Sequence, residues 1–185
     1  MRKYFGAKPI LYPQPVLIVA AYDQNGIPNA MNAAWGGISK SDEISICISA
    51  EHKTTKNLLA KGAFTVSMAT AERVVACDYV GVVSGNKVPD KLTKCGWHTQ
   101  KAEHVDAPLI DELPMALECR LRSYDPESCR LVGEIVNVCA DESVLTDGKI
   151  DPEKLRPIVF DPVHHAYREL GQQVGLAFKD GFKIK

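Results

Sequence analysis

The sequence predicts a mainly β protein, a Greek-key antiparallel barrel closed by a few short helices at its ends. β-branched and apolar runs bounded by turn residues dominate the first two thirds of the chain. Helix-like stretches are few and brief. Neither GxGxxG nor GxxxxGK[ST] occurs, which argues against a Rossmann or P-loop unit.

The elements follow in chain order. Val16 to Ala21 is short and continuously apolar, as in a strand buried on both faces. Asp23-Gln24-Asn25-Gly26 is a turn, and Ile44 to Ser49 alternates with the period of a strand that has one covered face. Thr54 to Gly62 reads as a helix with a threonine hydroxyl as its N-cap and glycine as its stop. Phe64, Val66 and Met68 mark the next strand. Asp90 to Gly96 predicts a turn or two of helix. Leu117 to Tyr124 and Leu131 to Val138 form an antiparallel pair joined through Asp125-Pro126-Glu127-Ser128, whose proline fixes φ and whose aspartate bonds back to the backbone. Asp151 caps a short helix with Pro152 at its first position. From Val163 to Phe178, Tyr167, Leu170, Val174 and Phe178 recur at helical spacing, although Gly171 and Gly175 weaken that helix.

No repeat, linker or low-complexity stretch divides the 185 residues, so one domain over 1–185 is expected. A hydrophobic content of 45% provides for a sizeable core, and a net charge of -1 excludes a general nucleic-acid binder. Prolines 9, 13 and 15 interrupt any signal-peptide core, and no apolar run is long enough to span a bilayer. The expectation is a cytoplasmic protein whose six cysteines are reduced thiols. Cys77, Cys95 and His98 lack a CxxC partner and a fourth ligand, so no metal is expected.

Three stretches carry candidate chemistry. Pro28 to Trp35, PNAMNAAW, combines asparagine amides with a large flat indole and small alanines. That mixture suits the edge of a polar heterocycle, and it equally suits a tight hairpin with a core tryptophan. His52 to Asn57, HKTTKN, opens a helix with Lys53, Thr54, Thr55 and Lys56, an anion site in principle and a plain cap otherwise. Ser84 to Lys91 reads as a mobile loop, either a simple connection or a flap that brings Lys91 to an anionic ligand. No nucleophile elbow or metalloprotease helix appears, so hydrolase chemistry has little support.

Taken in order, these segments resemble the flavin reductase-like, flavoredoxin-type family. The shared pattern runs through Pro13-x-Pro15-Val16, Asp23-x-Asn25-Gly26-x-Pro28-Asn29-Ala30, Trp35, the lysine-threonine helix start, Ser84-Gly85, Asp90-Lys91, Leu117-Glu118-Cys119 and Gly133-Glu134-Ile135. The resemblance implies an FMN-binding split β-barrel and a homodimer with FMN near the subunit interface. Carried over by position, it places Asn29 and Trp35 beside the flavin and the backbone from Asn32 to Gly36 at the ring edge. It puts Thr54 or Thr55, with Lys53, on the phosphate, and Lys91 on the phosphate or ring from the flap. Phe160 matches an aromatic position near the flavin. Two departures stand out: His52 where many members carry arginine, and Arg130 near a position where relatives place a histidine. A guanidinium stays charged at neutral pH and does not relay protons.

The implied function is an FMN-dependent oxidoreductase that passes electrons from NAD(P)H or a redox protein, through bound FMN, to an acceptor. Such chemistry belongs to the cofactor and needs no obligatory protein acid or base, so no catalytic residue is expected. A reductase that releases reduced flavin as product is one alternative. A non-redox split barrel that binds a ligand or a partner is another.

Overall fold

The computed structural model describes residues 1–184. In chain order the strands are β1 (Gln14–Pro15), β2 (Leu17–Tyr22), β3 (Pro28–Ala33), β4 (Gly36–Lys40), β5 (Glu43–Cys47), β6 (Ala63–Met68), β7 (Thr99–Lys101) and β8 (Pro108–Ile110). They continue with β9 (Met115–Asp125), β10 (Arg130–Ala140), β11 (Leu145–Thr146), β12 (Lys149–Ile150), β13 (Ile158–Asp161) and β14 (Ala166–Glu169). The helices are α1 (Lys53–Lys61), α2 (Val74–Val82), α3 (Lys91–Lys94) and α4 (Pro152–Leu155).

Seven strands form one antiparallel sheet in the order β3-β2-β6-β9-β10-β5-β4. Its two edge strands, β3 and β4, are consecutive in the chain and joined only by Ala34 and Trp35, so the sheet must curl to bring its edges near each other. Register shifts at Val132/Gly133 and Ile135/Asn137 add bulges to the long β9–β10 pair, and bulges bend strands and raise their twist. The result is the mainly β split barrel expected from the sequence, with the seam between β3 and β4 left unpaired rather than closed.

The inner face gathers Leu17, Val19, Ile44, Ile46, Phe64, Val66, Leu117 and Leu131, with Leu58 of α1 plugging the curl. On the outer face Val16, Ile18 and Ala20 meet Cys77 and Val80 of α2, Leu92, Trp97 and Ile158. Strand β2 is therefore buried on both faces, as its unbroken apolar run predicts. Gly62 ends α1 at φ +69°, the left-handed conformation that only glycine adopts without cost. Asp151 caps α4 by accepting from the Glu153 N–H at 2.9 Å, and Asp125 orders the β9–β10 turn through Glu127 and Ser128.

Two local expectations are corrected. Helix α1 begins two residues earlier than the threonine cap predicts. His52 holds the N-cap position without a side-chain bond, so Thr54 lies inside the first turn. The segment after Val163 is no helix. Ala166–Glu169 is a strand paired with β13, from Ile158↔Glu169 to Asp161↔Ala166, and residues 170–176 follow as irregular chain. Asp161 accepts from the backbone N–H groups of Val163 and His164 and so forms the turn that the helix would have crossed. No helix among the described residues is long and apolar enough to cross a membrane.

Candidate functional site

The site is organised by β3, whose one side pairs with β2 and whose other side is a sheet edge. Residues three apart on a strand face opposite ways. Asn29, opposite Ala21, turns toward α1, where its Nδ2 donates to Thr54 Oγ1 at 2.6 Å. Asn32 turns toward α2, where its Nδ2 donates to the Cys77 carbonyl at 3.1 Å. Asn29 and Thr54 are both buried.

The first turn of α1 has no side-chain cap and no acidic residue. Its leading N–H groups lack intrahelical acceptors, and the helix dipole leaves them partly positive. Beside them the Thr55 hydroxyl is fully buried and has no hydrogen-bond partner. A buried hydroxyl without a partner is costly, and it is satisfied by any acceptor placed on it. Lys53 is half-buried, and its Nζ sits 3.4 Å from Asp23 Oδ2. Asp23 is held below the usual carboxylate range chiefly by the Ile27 backbone N–H, with Asn25 and Lys53 adding to it. Lys53 therefore shares its charge with Asp23.

At the far end of β3, Trp35 is 55% exposed. With Ile10, Leu11 and Pro13 of the amino-terminal arm it lines a cleft of about 370 Å³. Its carbonyl accepts from the Cys47 N–H at 2.7 Å, and Cys47 lies opposite Arg130 on β10. Arg130 is exposed there, its Nε donating to Ser45 Oγ at 3.1 Å. Arg130 thus belongs to the Trp35 end and not to the α1 start. Phe160 joins Asn32, Ala34 and Tyr167 around a second cleft of about 220 Å³. The Phe160 and Tyr167 rings lie 6.2 Å apart, centroid to centroid.

Lys91 requires the largest correction. It is no flap residue: it is 2% exposed, and its Nζ donates to the Val80 and Val83 carbonyls at 2.7 and 2.8 Å. These are carbonyls at the end of α2, which a cation satisfies both by hydrogen bonding and by its position at the negative pole of the helix. Burial lowers its pKa to about 8. The loop that precedes it still approaches the site, because Asn86 Nδ2 donates to the Glu51 carbonyl next to the α1 start.

Sequence reasoning missed Tyr167 and Asp78, whose side chains bond at 2.6 Å beside Asn32. The helical spacing of the tail concealed the strand that delivers Tyr167. It also missed Gly81, although its neighbour loop was singled out.

The free edge of β3 thus runs from a donor-rich helix start to an aromatic end, over roughly 20 Å for six residues. That layout suits an extended ligand with an anionic tail and a planar head, and the partnerless Thr55 hydroxyl fits a phosphate oxygen. Fold and site together define a ligand-binding split barrel of the FMN-binding type. The chain matches the flavin reductase-like domain over residues 10–164 and belongs to that family. It is similar to flavoredoxin of Desulfovibrio vulgaris (Miyazaki F), with 37% identity over 98% of this chain and 100% of that one and a TM-score of 0.93. Flavoredoxin from Methanosarcina acetivorans matches with 26% identity over the full length of both chains and a TM-score of 0.89. An FMN-binding domain of a flavin reductase-like enzyme from Shewanella baltica OS155 shares the fold at 21% identity, covering 88% of this chain and 89% of its own, with a TM-score of 0.78.

Proposed function

We propose that this protein is a flavoredoxin-type oxidoreductase that keeps FMN bound and passes electrons from NAD(P)H or a redox protein to an acceptor. The observation that carries the reading is the uncapped start of α1, with its orphaned Thr55 hydroxyl, at one end of a free strand edge that leads to the exposed Trp35. Bound there, FMN would supply the redox chemistry. The chain's own part is to hold and orient it. The N–H groups of the first helical turn and the Thr55 hydroxyl would take the phosphate, with Lys53 adding charge. Backbone from Asn32 to Gly36 would lie along the ring edge, and Trp35 and Phe160 would supply flat apolar walls. Arg130 would contribute fixed positive charge at the ring end, without moving a proton.

We further propose a homodimer with the site near its interface. Phe5, Ile10, Leu11 and Tyr12 of the amino-terminal arm are exposed, as are Val174, Leu176, Phe178 and Phe182 of the tail. Exposed apolar side chains of this kind are what a subunit contact would cover. Light scattering of the flavin-loaded protein at micromolar concentration should give twice the mass of the chain. A monomer that still holds FMN would contradict the dimer.

Titration of flavin-free protein with FMN and FAD, followed by protein fluorescence, tests the cofactor reading. FMN should bind and be preferred over FAD, and no FMN binding at saturation would sink the proposal and favour a non-redox barrel. Reduction with NADH or NADPH followed by rapid filtration separates a bound group from an exchanging reductase. Flavin should stay with the protein, whereas stoichiometric free reduced FMN in the filtrate would favour the reductase that releases its product.

A further inference from the structure

The two asparagines of the PNAMN segment each rest on a glycine. A Cβ built on Gly81 would lie 2.3 Å from Asn32 Cγ, Nδ2 and Oδ1, and one built on Gly85 would lie 2.2 Å from Asn29 Oδ1. Both distances are well inside van der Waals contact, so neither position admits a side chain while its asparagine keeps its place. The backbone does not demand glycine at either site, because neither residue lies in the left-handed region where the other glycines of positive φ are found. What the missing side chains provide is room for the two carboxamides.

The seats are paired. Asn29 and Asn32 lie on opposite faces of β3, and the chain from Gly81 to Gly85 meets both, so the end of α2 and the following turn clasp the free edge of the strand. Four bonds hold the clasp in place. Lys91 Nζ bridges the Val80 and Val83 carbonyls on either side of Gly81. Asn86 Nδ2 ties the turn to the Glu51 carbonyl. The Asn32 amide is fixed to the Cys77 carbonyl of the same helix. On the other face, Asn29 passes its position to Thr54 through the 2.6 Å bond.

We propose that Gly81 and Gly85 are positioning residues of the cofactor site: by seating the Asn32 and Asn29 carboxamides they fix β3 and the first turn of α1 in the geometry that receives the ligand. The inference rests on the FMN reading given above. A methyl group at position 85 turns the Asn29 amide away, breaks its bond to Thr54 and leaves that buried hydroxyl without a fixed partner, all without touching the ligand directly.

The test is a double-mutant cycle on FMN affinity, read by fluorescence titration, with the thermal midpoint of each flavin-free variant measured alongside. Gly85→Ala and Asn29→Ala should each weaken FMN binding by at least tenfold, and the double variant should bind no more weakly than Asn29→Ala alone. Gly81→Ala with Asn32→Ala should show the same non-additivity. Should Gly85→Ala unfold, the added Asn29→Ala change should restore folding, because it empties the space that the methyl needs. Additive losses in affinity, wild-type affinity in Gly85→Ala, or failure of Asn29→Ala to rescue an unfolded Gly85→Ala would each overturn the inference. Absence of FMN binding in the wild-type protein would instead overturn the cofactor reading on which it rests.

Discussion

The Tyr167 hydroxyl donates to Asp78 Oδ1 at 2.6 Å, and through that bond the carboxyl-terminal hairpin is anchored to α2 beside Asn32. Burial and the neighbouring Asp78 together raise the phenol above its ordinary pKa, so it remains a neutral donor at any physiological pH. Tyr167→Phe should lower unfolding stability by about 1.5–3 kcal/mol, the range for a hydrogen bond to a charged group. The same change should loosen the wall formed with Phe160 and increase proteolytic cleavage in the tail. Denaturant unfolding and limited proteolysis check both effects. An unchanged cleavage pattern would show that the hairpin is held by other means.

Thr55 offers a test in which stability and binding move in opposite directions. Its hydroxyl is buried and makes no hydrogen bond within the chain, a situation that costs about 1–3 kcal/mol wherever no ligand acceptor is supplied. Valine has nearly the same shape and the same β-branching. Thr55→Val should therefore raise the thermal midpoint of the flavin-free protein while weakening FMN binding by about tenfold or more. Thr54→Val should do neither cleanly, because that hydroxyl accepts from Asn29 and its loss strands a buried amide. Equal FMN affinity in Thr55→Val and wild type would place the phosphate elsewhere.

Much of this arrangement was legible in the sequence. The unbroken apolar run of β2, the alternation of β5 and the turn chemistry after Asp125 gave the right strands, because each pattern records how many faces are covered. The lysine-threonine helix start and the tryptophan after PNAMNAA marked the two ends of the β3 edge on which the proposed site lies. What stayed hidden was contact between distant segments. Spacings of three and four in the tail suit a helix, yet pairing with β13 decides the outcome, and no local propensity records that pairing. Lys91 looked like an exposed loop cation because a buried lysine is rare. Only the fold shows two carbonyls converging on it. The glycine seats were equally invisible, since nothing local in the sequence records that Asn32 rests on Gly81 and Asn29 on Gly85.

Lys91 should leave a mark on the pH dependence of stability. Burial lowers its pKa to about 8 in the folded chain, while an unfolded lysine titrates near 10.4. Between those values the unfolded chain binds more protons, so the contribution of Lys91 to stability increases as pH rises through that window. Buried Cys77 and Cys119, pushed up to about 11 and about 12, act in the opposite sense above pH 8.5. Comparison with Lys91→Met isolates the lysine. The stability of wild type relative to that variant should increase between pH 8 and pH 10, on the order of 1 kcal/mol per pH unit. Parallel stability curves would show that the ammonium is not sequestered in solution.

Asp161 should govern the amino-terminal arm. Its carboxylate accepts from the Tyr12 hydroxyl, from Arg168 Nε at 2.9 Å and from the Val163 and His164 backbone N–H groups at 3.1 and 3.2 Å, and His164 Nδ1 lies beside it. Tyr12 is the largest influence, and with Arg168 and His164 it holds the carboxyl well below the usual carboxylate range. A depressed folded pKa stabilises the protein at neutral pH, and that contribution is lost as pH falls through the unfolded value near 3.9 and below. Asp161→Asn should therefore flatten the acid limb of the stability curve, with most of its cost appearing at neutral pH. It should also free the arm. Tyr12 is bonded to Asp161, and the arm residues Ile10, Leu11 and Pro13 form one wall of the Trp35 cleft. Arm release predicts faster proteolysis before residue 14 and a Trp35 emission shifted toward that of a fully hydrated indole. Trp97 is 4% exposed in the outer core and gives a constant background to that measurement. If emission and cleavage both stay at wild-type values in Asp161→Asn, the arm is held over Trp35 by its own apolar contacts and not by this carboxylate.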